Sequence, residues 1–154
     1  MKRPFEIYIL SLLLLFLSAG AIYGGGSLII SPDGTLLQMD PKWFDLIPFP
    51  DYLVPGIILF TLLGIFPLIS LFGLFYGKTN LLFNRVNIYR EKHWGWTYTL
   101  YSGIVSIIWI IVQQMMAEYF ILQSIILATG ILIVICCLMP RINRFYTVNE
   151  NIQI

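Results

Sequence analysis

Four long apolar runs dominate this chain of 154 residues. They fall at about 5–30, 53–76, 97–117 and 119–139. An α-helix rises about 1.5 Å per residue, so about 20 residues cross a hydrocarbon layer of about 30 Å. Lipid offers no partner to a free backbone N–H or C=O, so runs of this kind must be helices. The composition of the whole chain agrees: 58% of residues are apolar, 11% are charged and mean hydropathy is +0.84. Soluble domains carry about 25% charged residues. The expected fold is all-α, one bundle of four transmembrane helices over 1–154, with an outer loop at 31–51 and an inner loop at 77–96.

The basic residues orient the spans. Lys2 and Arg3 precede the first, Lys78, Arg85, Arg90 and Lys92 lie between the second and third, and Arg141 and Arg144 follow the fourth. Only Lys42 falls on the other side, so the positive-inside rule places both termini in the cytoplasm of a multi-pass plasma-membrane protein. Asp33, Asp40, Asp45, Asp51 and Glu118 fall outside. The start of the first run also has a signal-peptide look, with Lys2-Arg3 before apolar residues and Ala19-Gly20-Ala21 as a small-residue site. Its apolar stretch continues through Ile30, long enough to span, which favours a retained helix.

Small residues mark where helices are expected to meet. Gly20 and Gly24 are four apart and share a face with Ser27. Gly64, the Gly73–Gly77 pair, Gly103 with Ser106, and Ser124 with Ala128 offer similar faces on the other spans. These faces suit either a compact four-helix monomer or a seam between copies. Pro67 inside the second span removes a hydrogen bond to the Leu63 carbonyl and is expected to kink the helix. Gly25 and Gly26 are expected to loosen the outer end of the first.

The outer loop is 21 residues long and too apolar for a solvated tether. Ser31-Pro32-Asp33-Gly34 predicts a turn. Asp40-Pro41 predicts the cap and first residue of a short helix over 41–47. Trp43, Phe44 and Tyr52 belong at headgroup level, as an interfacial cap, a lid or a docking surface. Gln113, Gln114, Glu118 and Gln123 gather at the turn between the third and fourth spans. With Trp43 and Phe44, the residues Gln113, Gln114 and Glu118 are the candidate ligand or partner site. On the inner side, basic residues and Trp94-Gly95-Trp96 read as a membrane anchor. Cys136 and Cys137 read as apolar filler at the cytoplasmic end of the fourth span, with palmitoylation as the alternative.

Several chemistries find no support. No span has an ionisable group near its middle, unlike most proton-coupled carriers. There is no phosphate-binding loop, dinucleotide fingerprint, zinc motif or nucleophile elbow. No basic aromatic face points to nucleic acid. No catalytic residue, metal or cofactor is expected, and the chain reads as non-enzymatic.

The run GGGSLIISPDGTLLQM, continuing to PFPDYLVPGIILFTLLG, resembles small four-helix bacterial membrane proteins, most without an assigned activity. The layout of the first two spans is also similar to DoxX-like proteins, some of which are linked to quinone or thiosulfate oxidation. The resemblance implies a topology and brings no functional residue. The expected function is that of an integral membrane protein acting through membrane lipids and a protein partner or a second copy of itself. The alternatives are a binder of a lipophilic molecule, such as a quinone or lipid, and a small transporter.

Overall fold

The structure, a computed structural model, describes residues 3–40, 42–43, 48–76 and 81–148. Four helices are long and apolar enough to cross a membrane. They are α1 (Glu6–Ile30), α2 (Leu53–Phe75), α4 (Trp94–Met116) and α5 (Ile121–Leu138), with two short helices, α3 (Leu81–Asn84) and α6 (Pro140–Phe145). The chain is an all-α four-helix membrane bundle. Lipid-facing side chains such as Leu12, Phe16, Leu62, Phe72, Ile108 and Leu132 are exposed, as the surface of an integral membrane protein requires.

The sequence of α1 explains its packing. Ile7, Leu10, Leu14, Leu17, Ala21, Gly25 and Leu28 are buried. Their spacing of threes and fours makes one seam along the helix, the pattern that meshes near-parallel helices. That seam packs on α2 and, through Ile7, Leu10 and Leu14, joins Ile133, Cys137 and Ile142 in the core.

Each successive pair of long helices is closed by a glycine pair. A Cβ on Gly25 of α1 would lie 2.6 Å from the Phe60 nitrogen and 2.8 Å from the Gly56 oxygen of α2. On Gly73 of α2, a Cβ would lie 2.7 Å from Gly95 Cα of α4. On Gly103 of α4, it would lie 3.0 Å from the Gly130 oxygen of α5. Backbones can approach this closely only without side chains between them, and packing of this kind drives helix association in lipid.

These crossings redistribute the roles expected of the small residues. Gly20 has nothing within 4 Å of a Cβ built on it, so it packs on no other helix in this bundle. At Gly24 a Cβ would make ordinary contact with Leu59 at 3.4 Å, whereas Gly25, expected only to loosen the helix, sits at the tightest approach among the glycines of α1. A Cβ on Gly64 would meet Ile22 Cγ1 at 2.9 Å. Gly77 lies outside the described residues.

Pro67 follows a stretch of wider helix. Helix α2 continues from Leu53 to Phe75, but Leu59–Ile65, just before Pro67, is π-helical. Proline lacks an N–H, and the wider turn changes the hydrogen-bond register ahead of it. Ser18 of α1 donates to the Gly64 carbonyl in this stretch, giving that oxygen an interhelical partner. Pro67 itself is fully buried.

Helix α4 carries several buried hydroxyls. Thr97, Thr99, Ser102 and Ser106 are buried. Ser70 and Ser102 meet across the interface at 2.9 Å, while Thr99 and Ser102 also bond back to carbonyls one turn earlier. Hydroxyls satisfied in this way cost little in lipid and fix the register of the two helices.

The end of the bundle that holds the start of α1 and helix α6 is tightly built. Helix α4 starts at Trp94, three residues earlier than the apolar run suggested, because His93 caps it: its Nδ1 accepts from the Gly95 N–H at 3.2 Å. Trp94 and Trp96 are therefore not an interfacial anchor; they are 0% and 2% exposed and belong to the core. Trp96 Nε1 donates to the Cys137 carbonyl at 2.9 Å. Cys136 and Cys137 are both buried, which suits the role of apolar filler. Lys92 is also buried, and its Nζ donates to the Asn143 carbonyl at 3.0 Å, to Asn143 Oδ1 at 2.7 Å and to Thr147 Oγ1 at 2.6 Å. An antiparallel bridge between Lys92 and Thr147 adds the backbone to this clasp.

Candidate functional site

The loop after α1 folds back by local hydrogen bonding. Gly34 adopts φ 76°, open to glycine, and its N–H donates to the Ser31 carbonyl at 3.0 Å. Asp33 accepts from the Ser31 hydroxyl, from the Thr35 N–H at 3.1 Å and from the Thr35 hydroxyl at 2.9 Å. These donors, the Ser31 hydroxyl first, hold its carboxyl below the usual range. The Tyr52 N–H donates to the Pro32 carbonyl at 2.9 Å, which ties the far end of the loop to its start. Tyr52 is buried over Gly34, and burial, followed by the charge of Asp40, raises the pKa of its phenol.

From this clamp the loop reaches across the bundle. The Asp40 carboxylate accepts from the Lys42 N–H at 3.0 Å, as expected of a cap. Trp43 then stacks on Phe120, with ring centroids 5.9 Å apart and planes inclined by 19°. Phe120 immediately precedes α5. The loop thus joins the α1–α2 end to the α4–α5 end. Phe44, and most of the short helix expected over 41–47, lie outside the described residues.

One turn along α5 from Phe120 is a buried polar side chain without a partner among the described residues. Gln123, in the first turn of α5, is 0% exposed, and neither atom of its carboxamide has a hydrogen-bond partner among the described residues. The same holds for the buried indole nitrogens of Trp43 and Trp109. The Gly103–Gly130 crossing sets the antiparallel register of α4 and α5. Counting six or seven residues from it along each helix brings Trp109 level with Gln123. Trp43 lies one turn above, on Phe120. A buried polar group without a partner costs about 1–3 kcal/mol.

Together these groups define a chemistry. The carboxamide offers two N–H donors and one acceptor oxygen, and each indole offers one N–H. Donors predominate, so the arrangement suits a molecule whose polar end carries acceptor oxygens. The surroundings are apolar and aromatic, which suits a lipophilic body.

The other expected residues stand apart. Gln113 is half-buried, and Gln114 and Glu118 are exposed. Among the described residues, no hydrogen bond or ring contact joins any of the three to Trp43. Gln123 is the glutamine of that group which is fully enclosed. A lone glutamine in the apolar run of α5 was its signal in the sequence. Among the described residues, no group of His, Cys, Asp and Glu could hold a metal ion.

Comparisons with known protein families, with curated proteins and with solved structures gave no match to this chain.

Proposed function

We propose that this integral membrane protein binds a lipophilic small molecule with acceptor oxygens, a quinone or a lipid, beneath the loop over 31–51. The buried Gln123 carboxamide without a protein partner carries the reading, and the indoles of Trp109 and Trp43 supply further donors. Among the described residues no reactive group joins them, and the reading is of a site that binds and orients. The distribution of basic residues supports a plasma-membrane orientation with both termini in the cytoplasm. Self-association has less behind it, because the Gly25–Gly56, Gly73–Gly95 and Gly103–Gly130 approaches are spent within one chain.

Titration of delipidated protein with a short-chain quinone and, separately, with a monoacyl lipid tests this reading through tryptophan fluorescence. Saturable binding of either probe, weakened about tenfold by Gln123→Leu, as loss of one hydrogen bond of about 1.4 kcal/mol would give, is the expected result. Affinities that are the same in wild type and Gln123→Leu would contradict it.

A further inference from the structure

A second feature lies at the opposite end of the bundle, beside Arg3 and Val148. A cleft of about 230 Å³ opens there, with Arg3, Phe75, Tyr76, His93, Tyr146 and Thr147 in its wall. Pockets for whole small molecules run to about 300–1,000 Å³, so this one suits a compact group.

Arg3 gives the cleft its charge. Its guanidinium donates to the Phe75 carbonyl at 3.0 Å and lies 4.8 Å over the Phe75 ring. Those contacts fix its plane and use one of five N–H donors. Among the described residues, no acidic side chain lines the cleft. Glu6, in the first turn of α1, is engaged elsewhere by Arg141 at 3.3 Å. Tyr146 donates its phenolic proton to the Leu74 carbonyl at 2.7 Å, so that wall is rigid.

The cleft also continues onto the lipid face. Phe75 packs with Tyr8 at 6.5 Å between centroids, and Phe72 stacks on Tyr76 at 4.9 Å. Tyr8, Phe72, Phe75 and Tyr76 are all exposed. A fixed cation in a small cleft, continuous with an exposed aromatic strip, matches a molecule with an anionic head and long apolar chains. We propose that this cleft seats the phosphate of a membrane phospholipid, with Arg3 on the phosphate and the acyl chains along Tyr8, Phe72 and Phe75. This site is independent of the one beneath the loop over 31–51.

The test uses delipidated full-length protein in a neutral detergent, titrated with phosphatidylglycerol and with a diacylglycerol of the same chains, and read by native mass spectrometry. The expected result is one phosphatidylglycerol per chain, little diacylglycerol, and about tenfold weaker phospholipid binding in Arg3→Gln, as loss of a charge-assisted contact gives. Arg144→Gln removes the same charge at an exposed residue outside the cleft and is expected to leave binding unchanged. Equal weakening by both variants, or equal binding of diacylglycerol, would overturn the site. Displacement of the phospholipid by millimolar inorganic phosphate would overturn the lipid assignment in favour of a free anion.

Discussion

Gly73 and Gly95 bring the backbones of α2 and α4 into direct contact: a Cβ on Gly73 would sit 2.7 Å from Gly95 Cα and 2.5 Å from Trp94 Cζ3. Neither the backbone nor the buried indole can give way cheaply. Gly73→Ala and Gly95→Ala are each expected to destabilise the protein by about 1–3 kcal/mol, the range for overpacking a filled interior. Gly20→Ala is expected to be neutral or to stabilise by up to about 1 kcal/mol, because alanine favours the helix and meets no neighbour. Thermal unfolding in a single detergent compares the three variants.

Lys92 holds α6 and the residues just after it. Its ammonium group donates to two oxygens of Asn143 and one of Thr147, all near or within α6. Lys92→Met keeps the aliphatic stem and leaves those acceptors without their donor. A loss of about 1–3 kcal/mol is expected, together with faster amide exchange in α6 and unchanged exchange in the middle of α1.

Ser18 stabilises the π-helical stretch of α2 from outside by donating to the Gly64 carbonyl. Ser18→Ala removes the donor without adding bulk. It should cost about 1 kcal/mol, and exchange should rise first around Leu59–Ile65, near Gly64. A uniform rise over α2 would mean that the hydroxyl is not a local support.

Asp33 makes the turn after α1 sensitive to acid. Three donors hold its carboxyl below its ordinary value of 3.8. A depressed folded-state value means the contribution is complete above 3.8 and disappears as pH falls through the lower folded value. The difference in melting temperature between wild type and Asp33→Asn should therefore be constant from neutral pH to about 5 and shrink below 3.8. The group is solvent-exposed, so the effect is small and confined to the loop.

The helices were legible because length and apolarity alone decide them in a membrane. The span expected at 5–30 is Glu6–Ile30, and that at 53–76 is Leu53–Phe75. The start of α4 was hidden because tryptophans beside basic residues resemble an interfacial belt, whereas Trp94 is buried beside Gly73. Spacing picked Gly20 and Gly24 as a face, but spacing alone does not say which face is turned inward. The seam Ile7, Leu10, Leu14, Leu17, Ala21 leads on to Gly25 and Leu28, and following it would have found the crossing. The π-helical turn left only Pro67 as a trace. In the candidate site, Trp43 and the turn before α5 could be read from composition. Choosing Gln123 over Gln113 and Gln114 needed the rotation of α5 against α4, which no local pattern encodes.

The most direct measurement is native mass spectrometry of wild-type protein and Gln123→Leu, each released from mild detergent after identical purification. The account predicts a bound molecule of defined mass on the wild type that is absent or strongly depleted in Gln123→Leu, with both proteins folded. The same bound mass at the same occupancy on both, or bare protein in both, would contradict a ligand site at Gln123.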